Sequence, residues 1–480
     1  MIAESTARRR LGCLALLAII MLAFFVALIP NRGYSYPVHI DEWQHMTHSE
    51  LLLETGHIRD VSDPFSGIPA LSLGQFEVGF HMFCGMLYEV TGISWMNIVK
   101  FLPSIIFVIT VLSVYCLARR QGFGYEAAFI AALIPTTVGI LGPAFLVPVS
   151  IGLLFIPLVL FVAFNLRAIQ SYVLMFVLTC ALLWIHPPSA LAMIIILLPF
   201  LVLSLKGDFR HSFGLLLSIA APFLVALCFA YDFVMTQGIA QIFVADPLPA
   251  YHDMAPIMST YGYVPTILCV LGVFILGTRS GVKNISLILG LLTIAAMVVI
   301  YYAFGYGHQI MYLRGMLYML LMMSIIGGAG LRGIRTLRLP RRLAAPFVTQ
   351  NIGKWLCCAL VVTILVVAIP ARENTRFYHM IDEHDYRAFV WIGDNLVDGY
   401  QKAILDPWKA TAFIALTLKD VHSRILLAPE DEDLETWVFL RGGCNDTTFL
   451  NRENISIIYN RWPCVNPDLV EVTNNVYVLP

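Results

Sequence analysis

The sequence predicts a mainly α, polytopic membrane protein with about eleven transmembrane helices and a small α/β domain beyond the last of them. Three observations carry that reading. The 480 residues are 59% hydrophobic, with a mean hydropathy of +0.79. Their apolar runs approach the roughly 20 residues that a spanning helix needs. The polar breaks between runs stay short until about residue 370, where the composition turns soluble. A net charge of −1 excludes the bulk basic field that nucleic acid requires.

The runs fall at 11–29, 98–117, 127–141, 146–164, 172–184, 189–205, 214–230, 264–276, 285–304, 311–326 and 352–369. The first follows Arg8, Arg9 and Arg10. It is longer than a signal core and has no small-residue cleavage site after it, so it reads as a retained span. Lys and Arg then orient the chain. With the N-terminus cytosolic, that side collects Arg119, Arg120, Arg167, Lys206, Arg210, Arg279 and Lys283. It also holds the cluster from Arg332 to Arg342, and Lys354. Before the tail, the other side holds only Arg32, Arg59, Lys100 and Arg314.

Two segments are therefore expected outside: a first loop over 31–97, within a membrane domain spanning 1–370, and a soluble domain over 371–480. The piece "GFHMFCGMLYEVTG" (79–92) reads as an interfacial helix, because it contains Glu89 and a crossing there would reverse every later loop. In the tail, "DYRAFVWIGDNL" and "WKATAFIALTL" read as helices, and "KAILD" and "HSRILLA" as strands. Most of the ten cysteines lie in or beside apolar runs. Cys444 and Cys464 stand alone together in the external tail, where a disulfide between them is expected. Asn445 and Asn454 head two sequons on the same side. Integral membrane placement, in a plasma membrane or an ER-type membrane, follows.

The stretch "HIDEWQHMTHSE", from His39 to Glu50, stands just past the first run. In a helix, Asp41, His45 and His48 share one face, and Glu42 points about 100° away from Asp41. A carboxylate at a membrane surface loses hydration and becomes a stronger base. The same spacing fits a divalent metal held by Asp41, His45 and His48. The plain alternative is a solvated helix start whose acids do no more than cap it.

The order of these features resembles the GT-C superfamily of membrane glycosyltransferases. The matching pattern is a basic cytosolic N-terminus, one span and the Asp41-Glu42 pair at its outer end. A long loop follows and closes near Thr91-Gly92, then a span ending on "LARR" (117–120), then "AALIP" (131–135). The resemblance covers about residues 30–140 and is architectural beyond that. It implies a sugar donor on dolichyl or another polyprenyl phosphate. The acceptor, a protein or a glycan, would lie on the external face and be glycosylated with inversion. Asp41 would then be the base, with Glu42 second. The leaving phosphate needs a cation on that side, and Arg314, assisted by His308, suits it. Glu77, His186, His45 and His48 are further substrate-site candidates, and the loop holding Asp246, His252 and Asp253 reads as a lid.

The chain also departs from the oligosaccharyltransferase branch. Its next external loop, "GILGPAFLVPVS", has no acid, and Trp391 and Asp394 in "FVWIGDN" only faintly echo that branch's tail motif. A single hexosyl or pentosyl transfer, closer to protein mannosyltransferases or lipid A aminoarabinose transferases, is expected. The competing classes are a flippase or transporter of lipid-linked glycan and a non-catalytic membrane scaffold.

Overall fold

The computed structural model describes residues 2–57, 63–65, 77–233, 261–304, 309–338, 346–396, 399–425 and 429–480. They form two compact units. One comprises Met1–Arg32 and Lys100–Arg376, the other Gly33–Val99 and Phe377–Pro480.

The first unit is helical. It contains α1 (Ile2–Leu28) and, from the end of the first loop, α4 (Trp95–Arg119), α5 (Gly124–Ala131) and α6 (Pro148–Asn165). After these come α7 (Ile169–Ile185), α8 (Pro187–Ser204), α9 (Phe209–Phe233) and α10 (Tyr263–Arg279). The last three are α11 (Val282–Phe304), α12 (Gln309–Arg335) and α13 (Pro346–Glu373). α12 is the central element, packed against α5, α10, α11 and α13, with Met316–Ile326 almost wholly buried.

Among the described residues, eight helices are long and apolar enough to cross a membrane, and α7 and α10 are shorter apolar helices. The expected count of eleven is not reproduced among the described residues, and the run 127–141 is not a continuous helix. Helix stops at Ala131, and the chain continues through buried turns to Val147. Pro135, Gly142 and Pro143 explain the break, since proline cannot donate to a helix ladder. A side chain at Gly142 would collide with the Pro135 carbonyl and Thr136. The irregular backbone is satisfied inside the protein: Thr136 Oγ1 accepts from the Ala144 amide at 3.1 Å, and Arg372 Nη2 donates to the Leu133 carbonyl at 3.0 Å. Non-helical backbone at membrane depth is tolerated only when enclosed in this way.

The second unit joins the first loop to the tail. The loop supplies α2 (Ile40–Thr55) and α3 (Val78–Thr91). The tail supplies α14 (Glu383–Asn395), β1 (Lys402–Ile404), α15 (Ala410–Thr417), β2 (Asp420–Val421) and α16 (Asp431–Arg441). It ends with α17 (Thr447–Arg452), β3 (Ile457–Tyr459), β4 (Val470–Thr473) and β5 (Val476–Val478). The sheet order is β2-β1-β3-β5-β4, with β1 parallel to both neighbours and β5 antiparallel to β3 and β4. The strand expected at "HSRILLA" is displaced: β2 ends at Val421, and 422–425 are not strand. Cys444 and Cys464 are disulfide-bonded, Cα atoms 5.2 Å apart, inside a core with Ile404, Leu440, Leu450 and Ile458.

Loop and tail are tied residue by residue. The Tyr378 amide donates to the Val38 carbonyl at 3.2 Å. Tyr34 Oη donates to the Ile381 carbonyl at 2.8 Å, and Tyr36 Oη to Glu383 at 2.6 Å. Arg424 Nη2 donates to the Phe65 carbonyl at 2.6 Å, and α15 packs on α2.

Candidate active site

The ionisable stretch begins α2, and its first turn is closed by a capping box. His39 Nδ1 accepts from the Asp41 amide at 3.1 Å, while the Glu42 carboxylate accepts from the amides of Val38 and His39 at 2.9 and 3.2 Å. Glu42 is fully buried, so its carboxylate is occupied in holding the helix start. Asp41 differs. Its side chain stays 31% exposed, 3.5 Å from His39 Nδ1. Of the acid pair, Asp41 keeps a carboxylate that can meet a second molecule, and Glu42 fixes the turn on which it stands.

Aromatic rings from the tail gather beside this turn. The His39 ring lies 5.8 Å from that of Tyr378, which lies 5.8 Å from that of Trp408. Burial raises the Tyr378 hydroxyl above its ordinary pKa. Asp406 Oδ1 positions Trp408 by accepting from its amide at 3.2 Å, and it also accepts from the Trp437 indole at 3.1 Å. Such rings offer apolar faces with polar edges. Sequence reasoning missed them, because nothing local to Tyr378 or Trp408 signals that they return to residues 38–39.

His45 and His48 do share a face of α2. Their companion is His81 from α3, not Asp41: one ring nitrogen from each histidine lies within 4.8 Å of the others. Asp41 stands one turn earlier, its carboxylate 3.5 Å from His39 Nδ1. Glu77 precedes α3 in a left-handed conformation, φ 32°, and its carbonyl accepts from the Phe80 amide at 2.8 Å.

In the helical unit, Arg314 opens the apolar segment of α12. Its Nε and Nη1 are buried and have no hydrogen-bond partner among the described residues. Its charge acts on His186, the junction between α7 and α8. His186 Nδ1 accepts from the Ser189 amide at 3.2 Å and bonds the Ser189 hydroxyl, which in turn bonds the Tyr318 hydroxyl. Tyr318 follows Arg314 by one helical turn. A forked guanidinium with two unsatisfied nitrogens beside a buried hydroxyl pair is suited to an oxyanion. Ser189 and Tyr318 were not expected from sequence; a serine after two prolines and a tyrosine in an apolar run carry no signal alone. His308, Asp246, His252 and Asp253 lie outside the described residues.

The helical unit is interrupted after α5, and in the other unit the first loop, with Asp41 in the first turn of its helix, joins a terminal sheet. The resemblance read from sequence holds at the level of fold. No protein-family model and no curated protein matches the sequence. Solved structures do. The archaeal oligosaccharyltransferase AglB from Archaeoglobus fulgidus, in complex with an inhibitory peptide and a dolichol-phosphate, is similar at a TM-score of 0.60 and 14% identity, over 92% of this chain and 69% of that one. ArnT from Cupriavidus metallidurans, bound to undecaprenyl phosphate, is similar at 0.54 and 12%, over 97% of both chains. The arabinofuranosyltransferase AftD from Mycobacteria is similar at 0.57 and 12%, over 97% of this chain but 40% of that one.

Proposed function

We propose that the chain is an inverting glycosyltransferase that moves one sugar, a hexose or a pentose, from a polyprenyl- or dolichyl-phosphate carrier to a protein or glycan acceptor. The observation that carries the reading is Arg314, whose Nε and Nη1 are buried without a hydrogen-bond partner among the described residues, one helical turn before Tyr318 and its Ser189–His186 chain. A lipid-linked phosphate supplies the missing charge at the end of an apolar helix. That two structures of the same fold hold dolichol-phosphate and undecaprenyl phosphate supports it.

The proposed chemistry calls for two roles. The acceptor oxygen attacks the anomeric carbon opposite the phosphate, the carbon–oxygen bond to the carrier breaks, and positive charge develops on the sugar ring. Asp41 takes the acceptor's proton, and the departing polyprenyl phosphate remains on Arg314 and the hydroxyl pair. The rings of Tyr378 and Trp408 bind the acceptor. Basic residues near one end of the helices (Arg10, Arg332, Arg335, Lys354) support a cytosolic N-terminus, with the Asp41 loop and the tail outside.

The test is a pair of variants assayed with a polyprenyl-phosphate sugar. Asp41→Asn abolishes transfer while donor binding persists. Arg314→Ala raises the donor KM more than the acceptor KM. Full activity in Asp41→Asn removes the mechanism, and a purely acceptor-side defect in Arg314→Ala removes the phosphate assignment.

A further inference from the structure

We propose that His45, His48 and His81 bind a zinc ion that clamps α2 to α3, with Asp63 orienting His48 from behind. Three features of the cluster lead there. One ring nitrogen from each histidine falls within 4.8 Å of the other two, and His45 Nδ1 lies 3.0 Å from His81 Nε2. A tetrahedral zinc with bonds of about 2.0–2.1 Å needs its ligand nitrogens roughly 3.4 Å apart, so modest side-chain turns complete the site.

The second feature is the tautomer of His48. Its Nε2 is 2.9 Å from Asp63 Oδ1, and a carboxylate only accepts, so the proton sits on Nε2. In the neutral ring that leaves Nδ1 as a bare lone pair. It is buried and has no hydrogen-bond partner among the described residues. An acceptor in that condition is costly in a protein interior, and a cation satisfies it. A carboxylate holding the far nitrogen of a metal-bound histidine is the usual arrangement behind such ligands. The Asp63 carboxylate is itself steadied by the Phe65 amide at 2.9 Å.

The third feature is how α2 and α3 come together. A side chain at Gly85 would press on Leu53 at 3.1 Å and on the Ser49 carbonyl at 3.3 Å, so glycine is what lets the helices approach beside the cluster. His48 and His81 are 8% and 2% exposed. Three neutral imidazoles favour zinc over magnesium or calcium, which take oxygen ligands. One tetrahedral position remains for water. The site acts by position: it fixes the helix whose first turn carries Asp41. It does not rest on the glycosyltransferase reading, since zinc binding is measured without any sugar transfer.

The experiment uses the full chain carrying a tag without histidines, purified in detergent, stripped with chelator and reloaded with zinc. Wild type is expected to retain about one zinc per chain by elemental analysis, and to melt higher once reloaded. Its cobalt form is expected to show tetrahedral nitrogen-ligated absorption without a thiolate band. His48→Gln and His81→Gln lose the ion, and Asp63→Asn weakens it about 10–100-fold. His57→Gln, at an exposed histidine in the same loop, keeps it. Zinc that stays bound in folded His48→Gln and His81→Gln overturns the proposal. If those variants fail to fold, the wild type decides alone: reloading that changes neither melting nor the cobalt spectrum overturns it equally. Lost sugar transfer in a variant that still holds zinc bears only on the function proposed above.

Discussion

At the scale of single residues, the two halves of the proposed chemistry differ in how they are held. Asp41 is kept available because its neighbour is not: Glu42 absorbs the structural duty of the pair. Arg314 stands one helical turn before Tyr318, whose hydroxyl bonds that of Ser189, and this leads to a graded expectation. Tyr318→Phe removes one hydroxyl and leaves the His186–Ser189 contact, so donor KM should rise several-fold, equivalent to about 1 kcal/mol, with kcat less affected. Initial rates over a donor series check it, and a change confined to acceptor kinetics would contradict it. Sequence spacing brought His45 and His48 to one face because helical periodicity is local. It added Asp41 to that set and could not supply His81 or Asp63, because those arrive by the packing of α3 and the 63–65 turn.

At the scale of elements, α2 is a short helix whose first turn carries Asp41, the proposed base. Its N-terminal box satisfies amides that a helix start otherwise leaves orphaned. Glu42→Ala deletes the buried acceptor and is expected to cost about 1–2 kcal/mol locally. Hydrogen exchange at the Val38 and His39 amides should then speed up by about 10-fold, while that of α12 stays unchanged. The apolar runs that became helices were readable because each is continuous in hydropathy, even where a proline (Pro103, Pro157, Pro199 or Pro222) sits inside the helix. The run 127–141 was misread because hydropathy passes through Pro135 and Gly142 without registering them, although backbone chemistry does not. The short strands β3, β4 and β5 were missed because three- and four-residue strands are specified by their sheet neighbours more than by their own pattern.

At the scale of the molecule, the positive-charge asymmetry makes a prediction about sides. In a background lacking the eight free cysteines, a cysteine at Thr336 should resist an impermeant thiol reagent in intact cells. One at Asn475, in the tail, should react. The reverse pattern would invert the proposed topology and put Asp41 on the wrong face for a carrier displayed outside. Overall helicity and the mixed α/β character of the tail were legible in the sequence, whereas the union of loop and tail was not. Tyr34, Tyr36 and Val38 meet residues 378–383 through hydrogen bonds that no local pattern encodes.

That union has a bearing on biosynthesis. The body that carries Asp41 is assembled from Gly33–Val99 and Phe377–Pro480, with the whole of 100–376 translated in between. In a nascent chain α2 and α3 are therefore made long before Trp408 or Arg424, and the early loop must wait without its partners while most of the helices are synthesised. A chain cut after Glu373 would keep the helices of the first unit but lack Phe377–Pro480, the half of the second unit that packs on the Asp41 loop.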